Sequence, residues 1–300
     1  MRARPIPFTG YPLDRADDVR KQPEALDALW DDARARVVAL WRGKPAVTES
    51  AEGAWTSSAD VVGEPWLRLF LGIDAEGVPS FAVSYDPAKE APTLARGRFS
   101  DLRPVAGRLS LDDAALLGTA RSVLAWHRSH RFCANCGSPS GAVSGGWKRR
   151  CPACGKEHFP RVEPVVIALV THGDAVLLGR GPWWPEGFFS CLAGFVEPGE
   201  TMGDATRREV LEEAGVEVDD VTYVFGQPWP FPASLMLGVQ AEARSRDVTV
   251  DGVELAEARW FERDEVVAML AGKHPDVMSP FPIAVAYHLL KHWVAETPED

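Results

Sequence analysis

Residues 194 to 216, GFVEPGETMGDATRREVLEEAGV, carry six carboxylates in twenty-three positions: Glu197, Glu200, Asp204, Glu209, Glu212 and Glu213. Like charges on one helix face repel by roughly a few tenths of a kcal/mol per pair, so such crowding asks for a cation from elsewhere. Thr201 is suited to cap a helix, with Asp204 three residues on as its capping-box partner. The helix is expected to run to about Ala214 and to stop at Gly215, which suits a left-handed cap. Glu209, Glu212 and Glu213 then share one face, and Val210, Leu211 and Ala214 supply apolar surface. Arg208 lies beside the cluster and is placed to pair with Glu200. A glycine-bounded loop leading into a carboxylate-lined helix makes a cradle for Mg²⁺, which prefers oxygen ligands and bridges carboxylates to pyrophosphate oxygens.

Cys133, Cys136, Cys151 and Cys154 form C-x2-C-x14-C-x2-C. Each C-x2-C turn brings two thiolates to one ion, and two such turns complete a tetrahedron of sulfurs, the pattern of a closed structural zinc site. A redox pair or two disulfides are the alternatives the spacing leaves open. Cys191 stands apart and reads as a small buried residue. Around the cysteines sit Arg128, His130, Arg131, Lys148, Arg149, Arg150, Lys156 and Arg161, with Phe132 and Trp147 interleaved. Such a segment reads either as a solvated loop or as a contact for RNA.

The chain as a whole is acidic, with 32 Lys and Arg against 43 Asp and Glu, a net charge of −11. That balance argues against generic nucleic-acid binding, so any phosphate site has to be built locally from metal, Arg or backbone N–H groups. The N-terminal stretch has no apolar run of signal-peptide length, and the final TPED is no recognised retention or peroxisomal address. No stretch of about eighteen apolar residues occurs. The expectation is a cytoplasmic protein without a membrane span.

Texture divides the chain into three. WLRLFLG (66–72) and PSFAVSY (79–85) read as a hairpin of strands. Residues 111–130 carry Leu116, Leu117, Ala120, Val123, Leu124 and His127 at helical spacing, with Ser110 or Asp112 as the cap. Beyond the cysteines, 164–170 and 175–179 read as buried strands around a turn, 234–243 and 257–262 as further strands, and 282–296 as a closing helix.

The gapped pattern Gly194, Glu200, Arg208-Glu209-Val210, Glu212-Glu213 and Gly215-Val216 resembles the Nudix box without a mismatch. Gln227-Pro228-Trp229-Pro230-Phe231-Pro232-Ala233-Ser234 resembles the signature of the NADH pyrophosphatases within that superfamily, which also carry a four-Cys zinc ribbon just before the Nudix domain. The resemblance covers roughly residues 95 to 292 and implies an α+β protein. Its parts are an N-terminal domain rich in β-structure (1–125), a small zinc ribbon (126–160) and an α/β/α Nudix sandwich with a mixed sheet (161–296).

The implied reaction is hydrolysis of NAD(H) to nicotinamide mononucleotide and AMP with Mg²⁺ or Mn²⁺. By the same resemblance Glu209, Glu212, Glu213 and Glu254 bind the catalytic ions with the carbonyl of Ala193, while Glu200 orients the box through Arg208. The base is left open between a carboxylate and a hydroxide. Substrate contacts implied are Arg103, Phe159, Phe195, Gln227 to Ser234, and the backbone of Ala286. The family has Tyr at the position of Phe159, whose ring can stack but offers no phenol hydrogen bond. Three prolines, Pro228, Pro230 and Pro232, set among Trp229 and Phe231 fix a stiff, extended loop whose aromatic faces suit stacking on planar rings, although a rigid surface loop would read the same. A homodimer is implied, with NAD(H) or a related dinucleotide as ligand. The rival substrates are ADP-ribose, another ADP-linked molecule, or NAD-capped RNA. A rival of another class is a non-catalytic sensor of NAD derivatives.

Overall fold

The computed structural model describes residues 6–250 and 252–296; the first five residues and the terminal TPED lie outside the described residues. Contacts divide the chain into two units: Pro7–Val162 with Trp229–Ala233, and Glu163–Pro228 with Ser234 onward.

The first unit begins with α1 (Pro23–Trp30), β1 (Arg36–Trp41), β2 (Lys44–Val47), β3 (Thr56–Ser57), β4 (Leu67–Ile73), β5 (Pro79–Ser84) and β6 (Arg98–Phe99). These strands form one sheet in the order β4-β5-β1-β2-β6, with β3 on β1. The β4–β5 hairpin is antiparallel, whereas β1 and β5 run parallel with Val37 opposite Phe81. Its core is made by Val37, Phe70, Phe81 and Val83. Helices α2 (Leu102–Val105) and α3 (Leu111–Ser129) follow. Ser110 provides the cap of α3, its hydroxyl accepting from Asp113 N. The ribbon is the antiparallel sheet of β7 (Gly141–Val143), β8 (Lys148–Arg150) and β9 (Glu157–His158).

The second unit contains β10 (Glu163–His172), β11 (Ala175–Arg180), β12 (Leu192–Phe195), α4 (Met202–Ala214), β13 (Val218–Trp229), β14 (Ser234–Ala243), β15 (Glu257–Glu262), α5 (Arg263–Leu270) and α6 (Val285–Ala295). The sheet order is β13-β14-β10-β11-β15, with β12 on β10. β10 is parallel to β14 and antiparallel to β11 and β12, so the sheet is mixed.

Strand alternation sends successive side chains to opposite faces, and both faces are apolar. Ile167, Leu169, Val176 and Leu178 pack on Val266 and Met269 of α5 and on Leu289, Leu290 and Trp293 of α6. Ala168, Val170 and Leu177 pack instead on Val210 and Ala214 of α4. The result is an α/β/α sandwich, each fully buried leucine contributing roughly 1.5–3 kcal/mol of transfer free energy.

The closing helix starts at Val285, three residues later than the sequence pattern suggests. Ala284, its N-cap, is extended, and Phe281, just before Pro282, is disfavoured from the helical region, so the helix begins only beyond the prolines.

Candidate functional site

α4 is built as its sequence dictates. Asp204 N donates to Thr201 Oγ1 at 3.3 Å and Thr201 N donates to Asp204 Oδ2 at 3.0 Å, closing the capping box. Gly215 terminates the helix with φ 68°. Between these ends Glu209 and Glu213 lie four residues apart on one face.

β12 crosses β10 with Gly194 opposite Val166. A Cβ on Gly194 would fall 1.8 Å from the carboxyl carbon of Glu209, so only glycine admits that carboxylate against the strand. Glu254 arrives from the loop before β15. Carboxylate oxygens of Glu209, Glu213 and Glu254 all lie within 4.8 Å of one another. Burial raises the Glu209 pKa, Arg208 opposes the rise, and the charges of Glu212 and Glu254 add to it. A set of oxygen donors alone, part-buried and crowded, suits a hard divalent cation, and the cradle at Gly194 fits one.

Arg208 occupies the joint between loop and helix. Its Nε and Nη2 donate to the two oxygens of Glu200 at 2.6 and 2.9 Å, and Nη1 donates to Glu209 at 2.8 Å and Glu212 at 3.1 Å. Nη2 also donates to the Phe195 carbonyl at 2.9 Å. Glu200 further accepts from Glu197 N at 2.8 Å. The guanidinium, then that backbone donor, pull the Glu200 pKa down to about 2. Glu212 is exposed and turned to Arg208, outside the triad that Glu254 completes. Ala193 sits in β12 opposite Ile167.

The four ribbon cysteines are free and clustered, Cys133 and Cys154 with sulfurs 3.6 Å apart and Cys136 and Cys151 3.5 Å apart. Tetrahedral zinc with Zn–S near 2.3 Å spaces its sulfurs by about 3.8 Å, so the cluster fits that ion. His158 Nε2 lies 3.2 Å from Cys133 Sγ. Cys191 is buried elsewhere, which pushes its thiol up to about 12.

Not every ribbon cation is at the surface. Arg149 is buried, and its Nη1 donates to His127 Nδ1 at 3.0 Å. An arginine can only donate, so Nδ1 accepts and Nε2–H of a neutral imidazole donates to Gly146 O at 2.7 Å. β8 alternation turns Arg149 inward while Lys148 and Arg150 point the other way.

The proline-rich segment is held by α2 and α3. Arg103 lies over the Trp229 and Phe231 rings at 5.5 and 4.7 Å, and Arg121 over Phe231 at 4.7 Å. Arg121 also donates to Pro230 O, and Ser122 Oγ donates to Pro232 O at 2.9 Å. Phe8 meets both rings edge-on. No spacing signal marks Phe8, Arg121 or Ser122 for that role. Pro228 and Pro232 are exposed, Pro230 is buried, and Ala233 is half-buried.

Gln227 is fully buried, its amide donating to Ile283 O at 2.7 Å, so its side chain braces β13 against the chain leading to α6. Ser234 opens β14 opposite Glu163. Ala286 is buried in the first turn of α6, within the sandwich core. Phe195 and Phe159 are exposed rings, and Lys148 Nζ lies 5.1 Å from the Phe159 centroid.

Three family descriptions match successive parts of the chain. They are an NADH pyrophosphatase-like rudimentary NUDIX domain over residues 34–126, an NADH pyrophosphatase zinc ribbon domain over 128–159, and a NUDIX domain over 161–281. The NAD-capped RNA hydrolase NudC of Mycobacterium bovis (strain BCG / Pasteur 1173P2) is 38% identical over 292 residues, covering 94% of this chain and 92% of that protein. The NAD-capped RNA hydrolase NUDT12 of Homo sapiens is 46% identical over 206 residues, 65% of this chain but 45% of that protein. This chain therefore spans about half the length of that human relative. Among solved structures, a NUDIX hydrolase from Nitrosomonas europaea aligns over 55% of this chain and 90% of its own, with 24% identity and a TM-score of 0.44.

Proposed function

Because this chain belongs to the Nudix hydrolases, in the zinc-ribbon branch of NADH pyrophosphatase type, we propose that it hydrolyses the pyrophosphate bond of NAD(H) to nicotinamide mononucleotide and AMP. The observation that carries this reading is the convergence of Glu209, Glu213 and Glu254 within 4.8 Å beside Gly194. Mg²⁺ or Mn²⁺ held there would neutralise pyrophosphate oxygens and lower the pKa of a bound water.

The residues supply the rest. Arg208 fixes the loop through Glu200 and holds the Glu209 carboxylate in place through a second bond, so the acids are preorganised before substrate arrives. Phe195, exposed at the end of β12, offers a ring for stacking on a base. Ala193 offers its carbonyl as a further oxygen ligand, and Ala286 its backbone as a substrate contact. Within its own unit the Trp229–Ala233 segment is clamped from α2 and α3, which holds its aromatic rings in place. Homodimerisation belongs to the same reading and is read out by light scattering on the purified chain.

A second substrate, NAD-capped RNA, is supported by the relatives that carry that name and by the ribbon's charge. Residues 126–162 hold Arg128, Arg131, Lys148, Arg150, Lys156 and Arg161, besides the buried Arg149, against Glu157 as their one acid. Phosphate contacts of this kind strengthen RNA binding and make it salt-dependent.

A panel of NADH, NAD⁺, ADP-ribose and a short NAD-capped RNA, compared by kcat/KM under Mg²⁺ and under Mn²⁺, tests the reading. Preference for an NAD-containing substrate by about tenfold or more over ADP-ribose, some 1.4 kcal/mol of transition-state binding, supports it. Preference for ADP-ribose overturns it.

A further inference from the structure

The loop between β11 and β12 carries two adjacent tryptophans that no motif accounts for. Trp183 is 94% exposed and Trp184 43% exposed. Trp184 is nonetheless held. Its backbone N donates to Gly181 O at 3.1 Å, and its ring meets Phe188 edge-on at 5.1 Å. Phe188 in turn lies 5.5 Å from Phe281, and Met278 N donates to Gly187 O at 2.7 Å, tying the loop to the segment before α6.

Gly181 is the point where this loop meets the metal-site loop. A Cβ placed on it would lie 3.7 Å from the Trp184 indole and also 3.7 Å from the Glu254 carbonyl oxygen. The indole and the Glu254 main chain are therefore separated by at most twice that distance, 7.4 Å. Ala256 N donates to Arg180 O at 2.9 Å, which keeps the Glu254 loop alongside. A half-exposed aromatic, held by Gly181 and Phe188, thus stands beside the loop that carries Glu254, one of the three converging acids.

We infer that Trp184 is the stacking platform for one planar base of the substrate, the one joined through a single sugar to a phosphate held at the Glu209–Glu213–Glu254 centre. An indole face is sequence-tolerant toward planar rings, and the loop that carries it runs alongside the one that carries Glu254. The other base stacks elsewhere, on Phe195. The inference rests on the preceding reading of that centre as the phosphate site.

The test uses the two products, which the enzyme does not hydrolyse. AMP and nicotinamide mononucleotide are titrated separately into the full chain with Mg²⁺ by calorimetry, using wild type and the Trp184→Ala, Trp184→Phe and Trp183→Ala variants. The expected result is that Trp184→Ala weakens one product about tenfold, within the range of base–aromatic stacking, and leaves the other within about twofold. Trp184→Phe retains most of the affinity, and Trp183→Ala changes neither product. In turnover of NADH, Trp184→Ala raises KM about tenfold at nearly constant kcat, the signature of lost uniform binding.

Unchanged affinities and KM in Trp184→Ala overturn the platform, as does an equal loss for both products or an effect carried by Trp183 instead. Wild type that hydrolyses NADH while Trp184→Ala matches it sinks this inference alone. Wild type that binds neither product and cleaves nothing sinks the phosphate-site reading with it.

Discussion

Arg208 grips Glu200 with two parallel N–H donors, at 2.6 and 2.9 Å, while its third nitrogen reaches Glu209 and Glu212. One guanidinium thus neutralises much of the carboxylate crowding at the loop–helix joint, while oxygens of Glu213 and Glu254 lie with one of Glu209 within 4.8 Å of one another.

Lysine cannot reproduce that fork, since its ammonium is a single point of charge. Arg208→Lys is expected to lose about 10- to 100-fold in metal affinity or activity, the usual cost of disturbing residues that orient ligands. Manganese binding followed by electron paramagnetic resonance, beside kcat/KM, checks this. Far-ultraviolet circular dichroism should stay unchanged, because the helix is capped by Thr201 and Gly215 rather than by Arg208. Wild-type manganese affinity in the variant would contradict the role.

The placement of the acids predicts an order among their neutral variants. Glu213→Gln and Glu254→Gln each remove a converging carboxylate and should lower kcat/KM by about a hundredfold or more, as loss of a charge stabiliser commonly does. Glu212 faces Arg208 and solvent, with 61% of its side chain exposed. Glu212→Gln should therefore cost less than either. A Glu212 variant as damaged as Glu213→Gln would show that Glu212 turns inward when metal and substrate are bound.

His127 predicts a pH dependence of stability. Burial, countered by its bond to Gly146 and reinforced by the Arg149 charge, lowers its pKa to about 4 from 6.5. An unfolded chain takes up that proton below about pH 6.5 while the folded one refuses it until about pH 4. Stability is therefore complete above the unfolded value and falls as pH drops through this window, by up to about 3 kcal/mol. Urea midpoints across the window should slope downward in wild type and flatten in His127→Gln. Glu200, whose pKa is held down to about 2, contributes a separate loss at lower pH, between its ordinary 4.5 and that value. Equal slopes in wild type and His127→Gln would remove His127 from the account.

The ribbon predicts coupled loss of metal and structure. Metal mass spectrometry of the purified chain should find about one zinc per chain, and Cys151→Ser should lose it, since zinc ligation and folding of small ribbons are one equilibrium. Free cysteines 3.5 to 3.6 Å apart in two pairs set that expectation against disulfides. Full zinc content in Cys151→Ser would contradict a four-sulfur site.

Local features were the legible ones. The α4 cap and stop, the β4–β5 hairpin, the β10–β11 turn and the cysteine cluster each follow from residues close in sequence. Glu254 is different: nothing about DGVELAEARWF marks a ligand, and only the resemblance pointed to it. Its place beside Glu213 depends on the β11–β15 pairing, which sets Arg180 against Glu257. Arg149 and Gln227 were illegible for a related reason. Their types suggest a surface and a substrate wall, yet buried partners, His127 and the Ile283 carbonyl, draw both inward. Such partners are far apart in sequence, and no periodicity announces them. The parallel contact of β1 with β5 escaped for the same cause.

The central claim is a pyrophosphate cleavage that needs the converging carboxylates. The most direct measurement is chromatographic product analysis after incubating the chain with NADH and Mg²⁺, beside Glu213→Gln. The account predicts AMP and reduced nicotinamide mononucleotide in equal amounts from wild type, with formation slowed about a hundredfold or more in the variant. Intact NADH with wild type, or equal cleavage by both proteins, would contradict it.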